Sequence, residues 1–136
     1  MGRALNLSQF QHNVTDGTTT VGTGFVVNGS AKAWCSFNQQ TPAISDSINT
    51  SSLTDSSNGQ GDLNWTSAMS NTLYTAPSQT TYVSGSGSYC ITLGDAEGYS
   101  NRTVSKWYFR NVYADHSSSG FYDSTKGQVT IHGDLA

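Results

Sequence analysis

Apolar and polar positions alternate along much of this chain with the period of a strand, in short runs cut by Gly, Ser, Asn and Asp. Leu63 and Trp65 alternate with polar neighbours. Tyr89, Ile91 and Leu93 repeat the pattern with Cys90 and Thr92 on the other side, and Val129 and Ile131 do so against Gln128, Thr130 and His132. The strongest strand signal is Trp107–Tyr113, dense in aromatic and branched residues. It carries Trp107, Phe109 and Tyr113 on one face and Tyr108 and Val112 on the other. A strand apolar on both faces is covered on both, and in a small domain a neighbouring subunit is the natural second cover. Trp107, Phe109, Tyr108 and Val112 are therefore candidate subunit-interface residues. Ser56–Asp62, Ser84–Ser88 and Ser117–Gly120 have the chemistry of loops, and Ser67–Asn71 carries at most one helical turn. The whole predicts an all-β body, a small antiparallel β-sandwich of jelly-roll-like form.

The pattern divides the chain in two. Trp34 and Phe37 are the first pair of bulky aromatics, so the folded body is placed at 31–136 and an extended N-terminal arm at 1–30. Within the arm Leu5, Leu7, Phe10 and Val14 are scattered. Thr18–Val27 is β-prone, broken by glycine and flanked by the turn signals Asp16-Gly17 and Asn28-Gly29, which predicts one short strand between two turns. An arm so poor in core residues is unstable alone and needs another surface, with Leu5, Leu7 and Phe10 the side chains available to meet it.

The run Ala31-Lys32-Ala33-Trp34-Cys35-Ser36-Phe37 resembles the start of a C-terminal domain common in tail fibre proteins of marine bacteriophages. The likeness continues through Ile48–Asp55 and Gly59–Met69, touches Leu73-Tyr74, and returns in Val129–Asp134, in the same order. Residues 76–126 lie outside it. The resemblance implies a homotrimeric knob on a virion, joined to other virion proteins of the tail or capsid through the arm and made in the host cytoplasm. It also implies attachment to a host-surface glycan or protein. A short arm and a single knob starting at Met1 suit a capsid head fibre or decoration protein as well as a fibre tip. A third reading is a free carbohydrate-binding module.

Composition narrows the chemistry. At 136 residues the chain holds one compact domain. Only 11% of residues are charged and the net charge is -3, so attraction to nucleic acid or to an anionic membrane is not expected. Three Trp, seven Tyr and five Phe supply a core, and the single Glu97 argues against helices. No long apolar run marks a membrane span, and the N-terminus lacks the apolar stretch of a signal peptide. Cys35 and Cys90 show no metal-ligand spacing and read as two buried thiols, with a disulfide as the alternative.

Catalysis finds little support. Asp115 and His116 are adjacent, so on a strand they point apart, and no Gly-x-Ser-x-Gly elbow is present. Asp95 and Glu97 sit in a turn, without a partner carboxyl across a cleft and without a calcium-loop pattern. No metal and no cofactor is expected. Arg102, Lys106 and Arg110, spaced by four, share one face of a strand and read as a solvated edge. Aromatics in or beside Gly/Ser-rich loops give the better lead. Tyr82, Tyr99, Phe121 and Tyr122 could stack on sugar faces while Asn, Asp and Ser bond to hydroxyls. They are the candidate receptor-binding residues.

Overall fold

A computed structural model of the chain describes residues 9–14, 17–81, 90–95, 102–114 and 119–136. The chain forms two compact units, Met1–Ser30 and Ala31–Ala136. In the first, β1 (Gln9–Val14) and β2 (Gly17–Gly22) pair antiparallel from Val14↔Gly17 to Gln9↔Gly22, and α1 (Thr23–Gly29) follows. The single strand expected over Thr18–Val27 is thus a hairpin strand ending at Gly22, then a short helix. Two glycines, Gly22 and Gly24, stand where the extended pattern breaks. The helix stops at Asn28-Gly29, and Ser30 closes it by donating from its amide to the Val26 carbonyl and from Oγ to the Val27 carbonyl. Phe10 lies on β1, whereas Leu5 and Leu7 fall outside the described residues.

The second unit is an antiparallel β-sandwich. One sheet runs β4 (Ala43–Ile48), β3 (Ala33–Asn38), β11 (Lys126–Ile131), β7 (Ser78–Thr81). In the other, β5 (Thr50–Ser57) pairs with β6 (Gln60–Trp65), β6 with β9 (Lys106–Ala114), and β9 with both β8 (Cys90–Asp95) and β10 (Ser119–Phe121). Strand alternation places Ala33, Cys35, Phe37, Val129 and Ile131 inward from the first sheet. Leu63, Trp65, Trp107 and Phe109 face them from the second, with Met69 and Tyr74 added from the segment after β6. Phe37 and Phe109 meet across the two layers with ring centroids 5.0 Å apart. Gly61 and Gly127 make room for them, since a Cβ on either would run into the Phe109 or the Phe37 ring.

The chain passes between the sheets at Asn49, whose φ of 54° is the one left-handed non-glycine conformation among the described residues. Asparagine tolerates that region because its short amide bonds locally. Here Oδ1 accepts from the Ser67 amide at 2.6 Å and Nδ2 donates to the Ser67 carbonyl at 3.0 Å. The edge strand β5 slips register at Thr50/Ser52 and again at Asp55/Ser57, and such bulges discourage pairing with a foreign strand.

Two expectations change. Ser56–Asp62 is not one loop: β5 continues to Ser57, β6 starts at Gln60, and only Asn58-Gly59 turns, with Gly59 at φ 67°. On β9 the buried face is Trp107, Phe109 and Asn111, all fully enclosed within a single copy. Trp107 and Phe109 are thus covered by their own chain and need no subunit beside them. The other face, Lys106, Tyr108, Arg110 and Val112, is half-buried and mixed in character.

Candidate functional site

Register gives the sandwich two distinct ends. Ala33 pairs with Ile131, Thr50 with Trp65 and Asn64 with Lys106 at the end where Ala31 begins the unit. At the opposite end lie the turn between β3 and β4, the Asn58-Gly59 turn, and the segment from β10 to β11. Phe121 and Tyr122 belong to this tip.

The tip is held mainly by main-chain groups. The Asn111 amide donates to the Gly59 carbonyl at 2.7 Å, and the Tyr122 amide donates to the Asn111 carbonyl at 3.2 Å. Asn58 Nδ2 donates to the Phe121 carbonyl at 2.9 Å, and the Gly59 amide donates to Asp123 Oδ1 at 2.5 Å. Gly59 is required for two reasons. Its φ is positive, and a Cβ there would lie 2.5 Å from the Asn111 carbonyl oxygen. On this frame the Phe121 ring is 40% exposed, with the Arg110 guanidinium 5.3 Å from its centroid. The Tyr122 hydroxyl accepts from Gln40 Nε2 at 2.7 Å.

Phe121 pairs with Val112, so it shares the outward face of the sheet with Val112, Arg110 and Tyr108. That face carries a ladder of polar contacts, with Asp62 Oδ1 buried and without a partner. Tyr108 Oη donates to Gln60 Oε1 at 2.8 Å, Lys106 pairs with Asp62 at 2.9 Å, and Asn64 Nδ2 reaches Ser52 Oγ at 3.0 Å. Residues that the sequence assigns to two sites, a receptor loop and a subunit interface, therefore share one face: Phe121 lies beside Val112, with Tyr108 further along β9. An aromatic, hydrogen-bonding surface of this kind can stack on a ring face and bond to hydroxyls.

The other candidates fall elsewhere. Tyr82 and Tyr99 lie outside the described residues. On either side of the segment that holds Tyr99, Asp95 pairs with Phe109 on β9 and Arg102 lies against Tyr74. Arg102 pairs with Asp95, donates to the Tyr74 carbonyl and lies 5.0 Å from the Tyr74 ring centroid. The hydrogen bond that Arg102 donates to Asp95 raises the Arg102 pKa above its ordinary value. Asp95 also accepts from Trp107 Nε1, which gives it a structural task. The fully buried Tyr74 donates from Oη to the Lys106 carbonyl at 3.0 Å. Burial pushes its hydroxyl up to about 12 despite the Arg102 charge.

Lys106 and Arg110 do share a face, but on β9, which has neighbours on both sides and is no edge. Arg102 precedes that strand. Cys35 is a free, buried thiol whose pKa burial pushes up to about 11. Asp115, His116 and Glu97 lie outside the described residues. Among the described residues, no three His, Cys, Asp or Glu side chains cluster as metal ligands. No family model, no curated protein and no solved structure matches the chain.

Proposed function

We propose that the chain is a bacteriophage virion protein of the tail-fibre or fibre-tip type, which attaches to a host-surface glycan by non-covalent contact. The carrying observation is the tip: Phe121, exposed and flanked by Arg110, beside Tyr122, at the end of the sandwich opposite Ala31. A knob that starts at one end and presents aromatics at the other suits a protein held by its N-terminal side. The residues that carry the family resemblance support the reading from another direction. They fall on β3, the Asn49 corner, the edge strand β5, β6, Tyr74 and β11, the scaffold of the unit. Phe121 and Tyr122 fall in the part outside the likeness, where recognition is free to differ.

The mechanism is binding without covalent chemistry. Three copies in a trimer would present three weak sites at high effective concentration, so that modest contacts add through linkage. Tyr108 and Val112 remain on the half-buried outward face and are the side chains available for a subunit contact; Trp107 and Phe109 are not. Leu5, Leu7 and Phe10 of the arm would meet the virion.

Adsorption tests the reading. Particles carrying the double substitution Phe121→Ala and Tyr122→Ala should assemble normally and lose at least tenfold in adsorption to the host. Unchanged adsorption rejects the tip as the attachment surface. Cryo-EM of the virion distinguishes the tail from the capsid. Light scattering of the purified chain should give a trimer, and a monomer that binds glycan would favour a free carbohydrate-binding module.

A further inference from the structure

The tip end of the core is polar where a core is ordinarily apolar. Gln39, Asn111 and Ser124 are each fully buried, and they come from the end of β3, from β9 and from the turn between β10 and β11. Gln39 links the other two. Its Oε1 accepts from Asn111 Nδ2 at 3.3 Å, and its amide donates to the Ser124 carbonyl at 2.9 Å. Its Nε2 is engaged with Asp55 Oδ1 at 3.4 Å.

Two buried atoms of this cluster have no protein partner: Asn111 Oδ1 and Ser124 Oγ. Protein interiors satisfy nearly all such atoms, either with protein groups or with ordered water. The next inward positions on the two strands are Phe37 and Phe109, which offer no hydrogen bonds. Both residues bond Gln39, and the chemistry of the two atoms suits one water molecule. Asn111 Oδ1 can only accept, and so takes a water hydrogen; the Ser124 hydroxyl can donate to the water oxygen. All three buried side chains are neutral, so nothing among them compensates the charge of a metal ion.

We infer that Asn111 and Ser124 hold one internal water molecule, which bridges Asn111 Oδ1 to Ser124 Oγ. The water fastens the turn between β10 and β11 to β9 and completes the frame under Phe121 and Tyr122. Asn111 and Ser124 are positioning residues for those two aromatics, whatever the tip binds.

A high-resolution crystal structure of the full chain tests this. It should show one water about 2.7–3.2 Å from both atoms. In solution, a long-lived water should give an NMR cross-peak to the Asn111 side-chain amide. Ser124→Ala should abolish the bridge and lower Tm by about 5 °C, while Ser124→Thr, which keeps the hydroxyl, should restore both. The inference is overturned if either atom bonds instead to a protein group, or if the site is dry. It is equally overturned by an ion with several oxygen contacts near ~2.4 Å, or if Ser124→Ala melts like the parent.

Discussion

The two ends of the sandwich are fastened by different means. At the near end, side chains do the fastening: Tyr74 is fully buried, Trp65 meets it edge-on at 6.3 Å, and Arg102 binds its carbonyl while pairing with Asp95. At the tip, main-chain groups of Gly59, Asn111, Phe121, Tyr122 and Ser124 take most of the bonds, and the Phe121 ring lies on the outward face. Stability concentrated in buried rings is lost when the ring is lost. Stability carried by backbone bonds survives exchange of the side chains above it. The near end should therefore be intolerant of substitution and the tip permissive at its exposed side chains, with Gly59 and the buried Gln39, Asn111 and Ser124 excepted.

The largest test of that contrast is Tyr74→Ala. It removes a buried ring and its hydroxyl bond, and should cost about 3–5 kcal/mol in urea unfolding, whereas Tyr74→Phe should cost about 1 kcal/mol. A comparable loss for Phe121→Ala would erase the distinction between the ends.

Alkaline pH probes the same buried groups. Cys35 rises from an ordinary 9.0 to about 11 and Tyr74 from 10.0 to about 12 on folding. The unfolded chain thus releases these protons first, and above pH 9 the folded state holds more protons than the unfolded one. Stability from both groups is complete below pH 9 and falls as pH rises to 12, by on the order of 2–3 kcal/mol for each group. Urea midpoints at pH 8 and pH 11 measure it, and a flat profile would place both groups in contact with water.

Next in size is Gly59→Ala, which forces a side chain into left-handed backbone and against the Asn111 carbonyl. A loss of about 1–3 kcal/mol is expected, read as a lower urea midpoint. The smallest effect belongs to Phe121→Ala, expected within about 0.5 kcal/mol of the parent in the same assay.

Much of the sandwich was legible in the sequence. Leu63 with Trp65 and Val129 with Ile131 alternate against polar neighbours because one face of β6 and of β11 is buried and the other is not. β4 and β5 gave no such signal. They are edge strands rich in Ser, Thr and Asp and largely exposed, so no apolar alternation marks them. Trp107 and Phe109 share a buried face as their alternation implies, but Tyr108 and Val112 lend an apolar look to the outward face, which is half-buried and mixed, and a polar residue, Asn111, holds the third buried position. The helix at Thr23–Gly29 was hidden by Phe25, Val26 and Val27, whose strand preference is overridden locally.

The tip was half legible. Gly/Ser-rich surroundings pointed to Phe121 and Tyr122, which the sequence grouped with Tyr82 and Tyr99, both outside the described residues. Nothing in the spacing of residues 58, 111 and 121 announces that they converge. That closeness comes from pairing of strands distant in sequence. The Asn58-Gly59 dipeptide, a strong hairpin signal, was the available clue to one side of it.

The bonds that seat Phe121 and Tyr122 are largely indifferent to which letters occupy those positions, because carbonyls and amides are common to every residue. Replacements there can accumulate without unmaking the platform beneath. A lineage of such chains could retune what the outer rim touches in single steps, each sparing the interior, while Gly59 and Tyr74 stay under constraint.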